Sequence, residues 1–327
     1  MQILVPNSAQ AGANQPLVSN NPADFAIYTE NLSKTYGGSR GINEVNLQVR
    51  PGEIFGFLGP NGAGKTTAIR VLLNLIAPTG GRALVNGLDS QRDSVAIKKQ
   101  IGYLPGEFAL YPNLTGAQTL AYFANLRGKV DWQYVNSLAE RLELDMRKKF
   151  RQYSRGNKQK VGIIQALMHK PSLLVLDEPT SGLDPLNQQE FYQMLREVQA
   201  EGRTVFFSSH IMSEVEKTCD RVAIIRDGRL VRVGDIAELT GLRVHNLELT
   251  FLGSVPASEF SVLPGMDKLE QTSIEGHEVL RCVVRADALD AVVKTAACYS
   301  IVNFVSREPS LEEIFLDYYR EPDQEAK

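Results

Sequence analysis

Cysteine, histidine, tryptophan and long apolar runs are all scarce in this chain of 327 residues. Its three cysteines, Cys219, Cys282 and Cys298, stand far apart with no CxxC spacing. That excludes a zinc-ribbon or iron–sulfur ligand pattern and fits a reducing compartment. No apolar run approaches the roughly 18 to 20 residues that a membrane-spanning helix needs; the longest, 161–168 and 173–176, have the length of core segments. A strong excess of one charge is also missing, with 35 Lys and Arg against 38 Asp and Glu, a formal net charge of -3. Nucleic acid is therefore not expected as the main partner, because such proteins concentrate basic residues on one face. A basic cluster such as Arg147, Lys148 and Lys149 with Arg151 reads as a solvated helix end. Residues 1–24 lack a basic start and a sustained apolar stretch, so they read as a flexible, polar extension and not as a secretory signal. Neither internal repeats nor low-complexity blocks occur. What remains is ordinary globular composition, 43% apolar and 22% charged, in a length that suits one large domain and a smaller one.

Between residues 25 and 235 short β-rich runs alternate with longer helical ones, which predicts an α/β sheet. "EIFGFLG" (53–59) predicts a buried strand ending in glycine, and "KTTAIRVLLNLI" (65–76) a helix with apolar residues at 3.6-residue spacing. The intervening "GPNGAGKTT" fills every fixed place of GxxxxGK[ST] with Gly59, Gly64, Lys65 and Thr66. Strand, glycine loop and helix are the setting in which backbone N–H groups turn inward around a phosphate chain. Asn61, Gly62 and Ala63 belong to that cradle. Lys65 is expected to reach the β- and γ-phosphates, Thr66 to place its hydroxyl on Mg²⁺, and Thr67 to donate to an inner phosphate. "SLLVLDE" (172–178) predicts a second apolar strand that ends in Asp177 and Glu178, and "TVFFSSH" (204–210) a third that ends in His210. Ligands of parallel sheets bind beyond the carboxyl ends of the strands, so the three polar ends can share one site. Asp177 suits a water-mediated hold on Mg²⁺, and Glu178 the general base for an attacking water.

Residues 28–235 resemble the nucleotide-binding cassette of ABC transporters, with motifs in that family's order. Tyr36 in "LSKTYGG" matches the adenine-stacking aromatic. "YSRGN" (153–157) matches the family signature at Ser154 and Gly156, which in the family touch the γ-phosphate held by a second cassette. "LDEPTSGLDP" (176–185) matches the carboxylate strand and its following loop, with Asp184 as the subunit-bridging aspartate and His210 as the switch histidine. The resemblance implies a P-loop NTPase of ABC type: a RecA-like core sheet, an antiparallel β flap before residue 53, and a helical lobe between 114 and 170. It implies ATP and Mg²⁺ as ligands, and a homodimer closing around two ATP molecules. It further implies a separate transmembrane permease of the ABC-2 export type, contacted by 107–114, and a peripheral place on the cytoplasmic face of a bacterial cell membrane. "EPSLEEIFLDYY" (308–319) is similar to the endings of such exporter cassettes. From about residue 236 the pattern "VHNLELTFLG", "HEVLRCVVRA", "DALDAVVKTAAC", "IVNFVS", "SLEEIFLDYY" predicts a small α+β module to residue 327, closed by a helix.

Two departures stand out. Where the family carries a lid-loop glutamine this chain has Gly106 followed by Glu107, so either Glu107 or a water is expected in that role. In the signature, Tyr153, Arg155 and Asn157 replace the common leucine, glycine and glutamine, which predicts altered turnover. An ABC-type ATPase acting outside transport is the alternative reading. Its translation members carry two cassettes and its repair members insert coiled coils, and this chain has neither pattern. A slow nucleotide sensor is a third reading, opposed by the intact Lys65, Asp177, Glu178 and His210.

Overall fold

The computed structural model describes residues 21–37, 39–108, 111–128, 130–240, 244–274 and 276–307. Most of the expected N-terminal extension and all of the expected closing helix at 310–319 lie outside the described residues. The last of the leader forms a short 3-10 turn, Pro22–Asp24, capped by the side chain of Asn21.

The central sheet has six strands in the order Arg229–Asp235, Arg221–Arg226, Ile54–Leu58, Thr204–Ser209, Leu173–Asp177, Ile101–Leu104. All neighbours are parallel except the Arg229–Asp235 edge. Its inner strands are buried on both faces, as a parallel sheet requires. Strand alternation assigns each side chain to one of two cores. Ile54, Leu58, Leu174, Leu176, Val205 and Phe207 meet the helical lobe, whereas Phe55, Phe57, Leu173, Val175 and Phe206 meet the phosphate-loop helix and the flap.

The flap is antiparallel and larger than the sequence pattern implies. Ile27–Tyr36 and Ser39–Val45 are joined by Gly80–Val85 and Leu88–Asp89, which follow the phosphate-loop helix in sequence. That helix spans Lys65–Leu72, shorter than predicted. Asn74 adopts a left-handed φ of 48°, and Leu75 N donates to Arg70 O at 2.8 Å. This closes the helix in the manner of a left-handed C-terminal cap, although the apolar pattern runs on. The helical lobe comprises Gly116–Arg127, Trp132–Arg141 and Arg155–Leu167.

After the edge strand, Ile236 and Leu239 still pack into the first core. A separate core begins at Leu247 and includes Leu249, Phe251, Phe260, Leu280, Val284 and Val292. Its four antiparallel strands run in the order Met266–Ile274, His277–Arg285, Val244–Phe251, Ile301–Arg307. Helices Ala257–Ser261 and Leu289–Ala296 complete a β-α-β-β-α-β order of ferredoxin-like type. Met266–Ile274 is absent from the sequence reading because it is an edge strand. Only Met266 and Leu269 are even half-buried there, so no apolar alternation marks it.

Candidate active site

Strand order builds the site. Ile54–Leu58, Thr204–Ser209 and Leu173–Asp177 are neighbours, with Leu58 opposite Ser209 and Asp177 opposite Ser208. Whatever follows each strand therefore meets at one edge. The phosphate loop follows the first, His210 the second and Glu178 the third.

In the loop, Gly62 and Gly64 take φ of 80° and 108°, a region open to glycine and strained for other residues. A Cβ on Gly64 would also stand 2.9 Å from Ile42 Cγ2 and 3.0 Å from Gly41 O. The flap thus presses on the turn, and Tyr36 lies on the same side: a Cβ on Gly41 would come 3.5 Å from its ring. The exposed ring of Tyr36 carries the Lys34 ammonium 5.3 Å above its centroid.

Lys65 begins the helix and is buried. Its Nζ donates to Gly59 O at 2.6 Å and Pro60 O at 3.2 Å, and lies 3.2 Å from Glu178 Oε1. The other oxygen of Glu178, Oε2, is 2.7 Å from His210 Nδ1. Glu178 has a left-handed φ of 50°, a sparsely populated and strained setting for a residue other than glycine. Asp177 is 1% exposed and accepts from Thr66 Oγ1 at 2.8 Å and from Ser208 Oγ at 2.6 Å. Burial, followed by the charge of Asp177, pushes the Tyr103 phenol up to about 12, which keeps it a proton donor.

A cavity of about 360 Å³ brings together Asn61, Thr66, Asp177, Glu178 and His210. Gly106, Glu107 and Arg155 line it as well. At Gly106 a Cβ would stand 3.3 Å from Asp177 Oδ2, so a side chain there would grow out against the carboxylate. Thr66 and Asp177 offer an all-oxygen pair suited to a hard divalent cation that fills the rest of its shell with phosphate and water. Among the described residues no group of three or more His, Cys, Asp and Glu side chains forms a metal site.

Ser154, Gly156 and Asp184 do not line this cavity and serve as local structure. Ser154 caps the helix Arg155–Leu167, its Oγ accepting from Asn157 N at 3.2 Å. Asp184 caps Pro185–Ala200, accepting from Asn187 N at 3.1 Å and Asn187 Nδ2 at 2.7 Å. Those bonds to Asn187 hold its carboxyl below the usual range. Gly156 backs onto the loop before Asp184: a Cβ there would meet Gly182 O at 2.4 Å.

Three supporting residues escape the sequence reading. Ser208 holds Asp177 and also accepts from Glu178 N at 3.2 Å. Buried Gln159 donates to Glu178 O at 3.2 Å and Pro179 O at 2.9 Å. Buried Glu214 accepts from Thr180 and Ser209 hydroxyls, both at 2.8 Å. The serine pair in "FFSSH" is the one local signal, since two hydroxyls at the end of an apolar strand need buried partners.

Beside the cavity lies a groove of about 710 Å³ lined by Val95, Lys98, Phe108, Phe123, Leu126 and Arg127 among others; Tyr103, Pro105 and Glu107 front both spaces. Among the described residues no helix is long and apolar enough to cross a membrane.

The family model described as "ABC transporter" matches residues 42–181. The chain is similar to the bacitracin transport ATP-binding protein BcrA of Enterococcus faecalis, 41% identical over 219 residues, covering 66% of this chain and 71% of that protein. Its similarity to the linearmycin resistance ATP-binding protein LnrL of Bacillus subtilis is 31% over 308 residues, 89% of this chain and 97% of that one. Among solved structures it is similar to the dimeric structure of MJ0796, a bacterial ABC transporter cassette. There the TM-score is 0.59 at 26% identity, covering 64% of this chain and 98% of that one.

Proposed function

Because the chain belongs to the family of ABC transporter ATP-binding proteins, we propose that it is the ATP-hydrolysing subunit of a bacterial exporter whose ABC-2 type permease is a separate polypeptide. Two copies close around two ATP molecules at the cytoplasmic face of the membrane. Residues 25–235 form the cassette and 236–327 the accessory module. The observation that carries this reading is the contact set at adjoining strand ends: Lys65 to Glu178 to His210, with Thr66 to Asp177 beside it.

Hydrolysis itself is the activity of this family's cassette, and the contacts above support a division of the work among these residues. Terminal phosphate oxygens compete with Glu178 for Lys65, neutralising charge on the transferred group. Freed from the ammonium, Glu178 orients a water and takes its proton as the oxygen attacks phosphorus and the bond to ADP breaks. Inorganic phosphate leaves with ADP. His210, already bonded to Glu178, fixes the carboxylate and can follow the phosphate. Thr66 and Asp177 would hold Mg²⁺, which supplies charge compensation between the phosphates.

Closure follows from the placement of the remaining motif residues. Ser154 and Gly156 stand outside the chain's own cavity, so a second copy is needed to present them to its nucleotide. Bound γ-phosphate then favours the closed pair, because that state adds donors to it. The groove fronted by Glu107 and Phe108 is where a helix of the permease rests, and it shares its wall with the nucleotide cavity. The similarity to a bacitracin transport protein and a linearmycin resistance protein favours an antibiotic as cargo.

The test is capture of tagged Glu178→Gln protein from detergent-solubilised host membranes with ATP, with bound chains identified by mass spectrometry and Lys65→Ala as control. A multi-spanning protein retained by Glu178→Gln alone is expected. Ribosomal or DNA-associated proteins without a membrane protein would overturn the transport reading. Wild-type ATP turnover in Lys65→Ala would overturn the site.

A further inference from the structure

Arg155 sits between Ser154 and Gly156 at the first turn of its helix and is exposed, yet its side chain is seated on the loop that follows Glu178. Its Nη2 donates to Ser181 Oγ at 2.7 Å. Its stem crosses Gly182, where a Cβ would come within 3.1 Å of Arg155 Cγ. Gly182 has φ of 82°, so that position is strained for any larger residue on two counts. From this seat Arg155 lines the same cavity as Thr66, Asp177, Glu178 and His210.

Two of the cavity's carboxylates are already engaged. Glu178 is held by Lys65 and His210, and Asp177 by Thr66 and Ser208. Among the described residues Arg155 makes its hydrogen bond to a neutral hydroxyl, which leaves most of the guanidinium's donors without a protein partner. A guanidinium fronting a polar cavity in this state matches the oxygens of a phosphate group, with which it forms short, charge-assisted bonds.

We propose that Arg155 contacts the terminal phosphate of the nucleotide held by the phosphate loop of its own chain, exchanging its Ser181 bond for phosphate oxygens. The proposal rests on the ATP-site reading above and adds to it a sensor. Ser181 and Gly182 lead into Asp184, and Arg155 opens the helix capped by Ser154. Occupancy of a chain's own cavity is thereby reported to the surfaces that the second copy receives. It also separates ATP from ADP, since only the triphosphate carries the group that Arg155 reaches.

The experiment measures binding of trinitrophenyl-ATP and trinitrophenyl-ADP to the full chain, at dilutions where light scattering reports a monomer. Wild type, Arg155→Gln, Arg155→Lys and Lys65→Ala are compared. Arg155→Gln retains a donor for Ser181 but not the charge. It is expected to weaken ATP binding about tenfold, the value of one charge-assisted contact, and ADP binding less than about twofold. Arg155→Lys should recover most of the loss. An unchanged preference for ATP in Arg155→Gln would overturn the proposal, as would equal losses for both nucleotides, which report a loop effect. A loss confined to the dimeric protein would move the contact to the partner's nucleotide and overturn the own-chain assignment. Nucleotide binding indifferent to Lys65→Ala would instead overturn the ATP-site reading, and the sensor with it.

Discussion

Ser208 gives the sharpest energetic test, because one hydroxyl holds both the Asp177 carboxylate and the backbone of Glu178. It is fully buried beside Asp177, donating to Asp177 Oδ1 at 2.6 Å while Glu178 N approaches its Oγ at 3.2 Å. A hydrogen bond to a charged group contributes about 1.5 to 3 kcal/mol, and a neutral one about 1 kcal/mol. Ser208→Ala should therefore destabilise the protein by about 2 to 3 kcal/mol. In an Asp177→Asn background the same change should cost about 1 kcal/mol less, since a neutral acceptor replaces the charged one while the bond from Glu178 N is kept. Thr66→Val removes the second donor to Asp177. Combined with Ser208→Ala it leaves a carboxylate that is 1% exposed without a side-chain donor, so the double loss should exceed the sum of the singles by about 1 kcal/mol. Urea unfolding in chelator without nucleotide, followed by far-ultraviolet circular dichroism, reads each value from the midpoint at constant slope. An unmoved midpoint in Ser208→Ala, or the same loss whether or not Asp177→Asn is present, would refute the reasoning.

Gly156→Ala would place a methyl where Gly182 O stands 2.4 Å away. Overpacking of this kind costs about 1 to 3 kcal/mol; steady-state assays should show ATP turnover reduced about tenfold or more, with nucleotide binding retained, and wild-type turnover would refute it. His169 offers a pH signature away from the site. Burial and the nearby Arg127 push its imidazole down to about 4, while Nε2 stays 3.0 Å from Ile101 O. The folded chain thus favours the neutral ring, and the unfolded chain takes up the proton first as pH falls below the ordinary value near 6.5. Stability should decline between about 6.5 and about 4, and His169→Gln should flatten that decline in urea midpoints taken across the range.

The parts of this molecule legible in its sequence are those encoded within a few residues of each other. Glycines around Lys65, an apolar run ending in Asp177 and Glu178, and another ending in His210 each announce a strand and what it presents. The ferredoxin-like module showed most of its strands through alternating apolar residues, but Met266–Ile274, exposed along most of its length, had no such pattern to show. The supports of the site were hidden for a different reason. Ser208 finds Asp177 across 31 residues, and Thr66 finds it across 111. Such pairings follow from strand order, which no local pattern carries. The same holds for Gly80–Val85, which returns to the flap after the phosphate-loop helix. Asn74 shows the converse: its left-handed turn overrode an apolar pattern that continued past it.

Tyr103, Pro105 and Glu107 front both the cavity and the groove, whereas Phe108 and Leu126 front the groove and not the cavity. On the docking proposed above, and in genetic terms, the first three positions are pleiotropic and the other two are separable. A screen for variants that accept a mismatched partner in the groove would recover changes at both kinds of position. Those at Glu107 would arrive with altered nucleotide turnover, and those at Phe108, its neighbour in the chain, would not. On that docking, divergence of partner choice without loss of ATP turnover is open to this fold through the second set, while compensation between the two functions runs through the first.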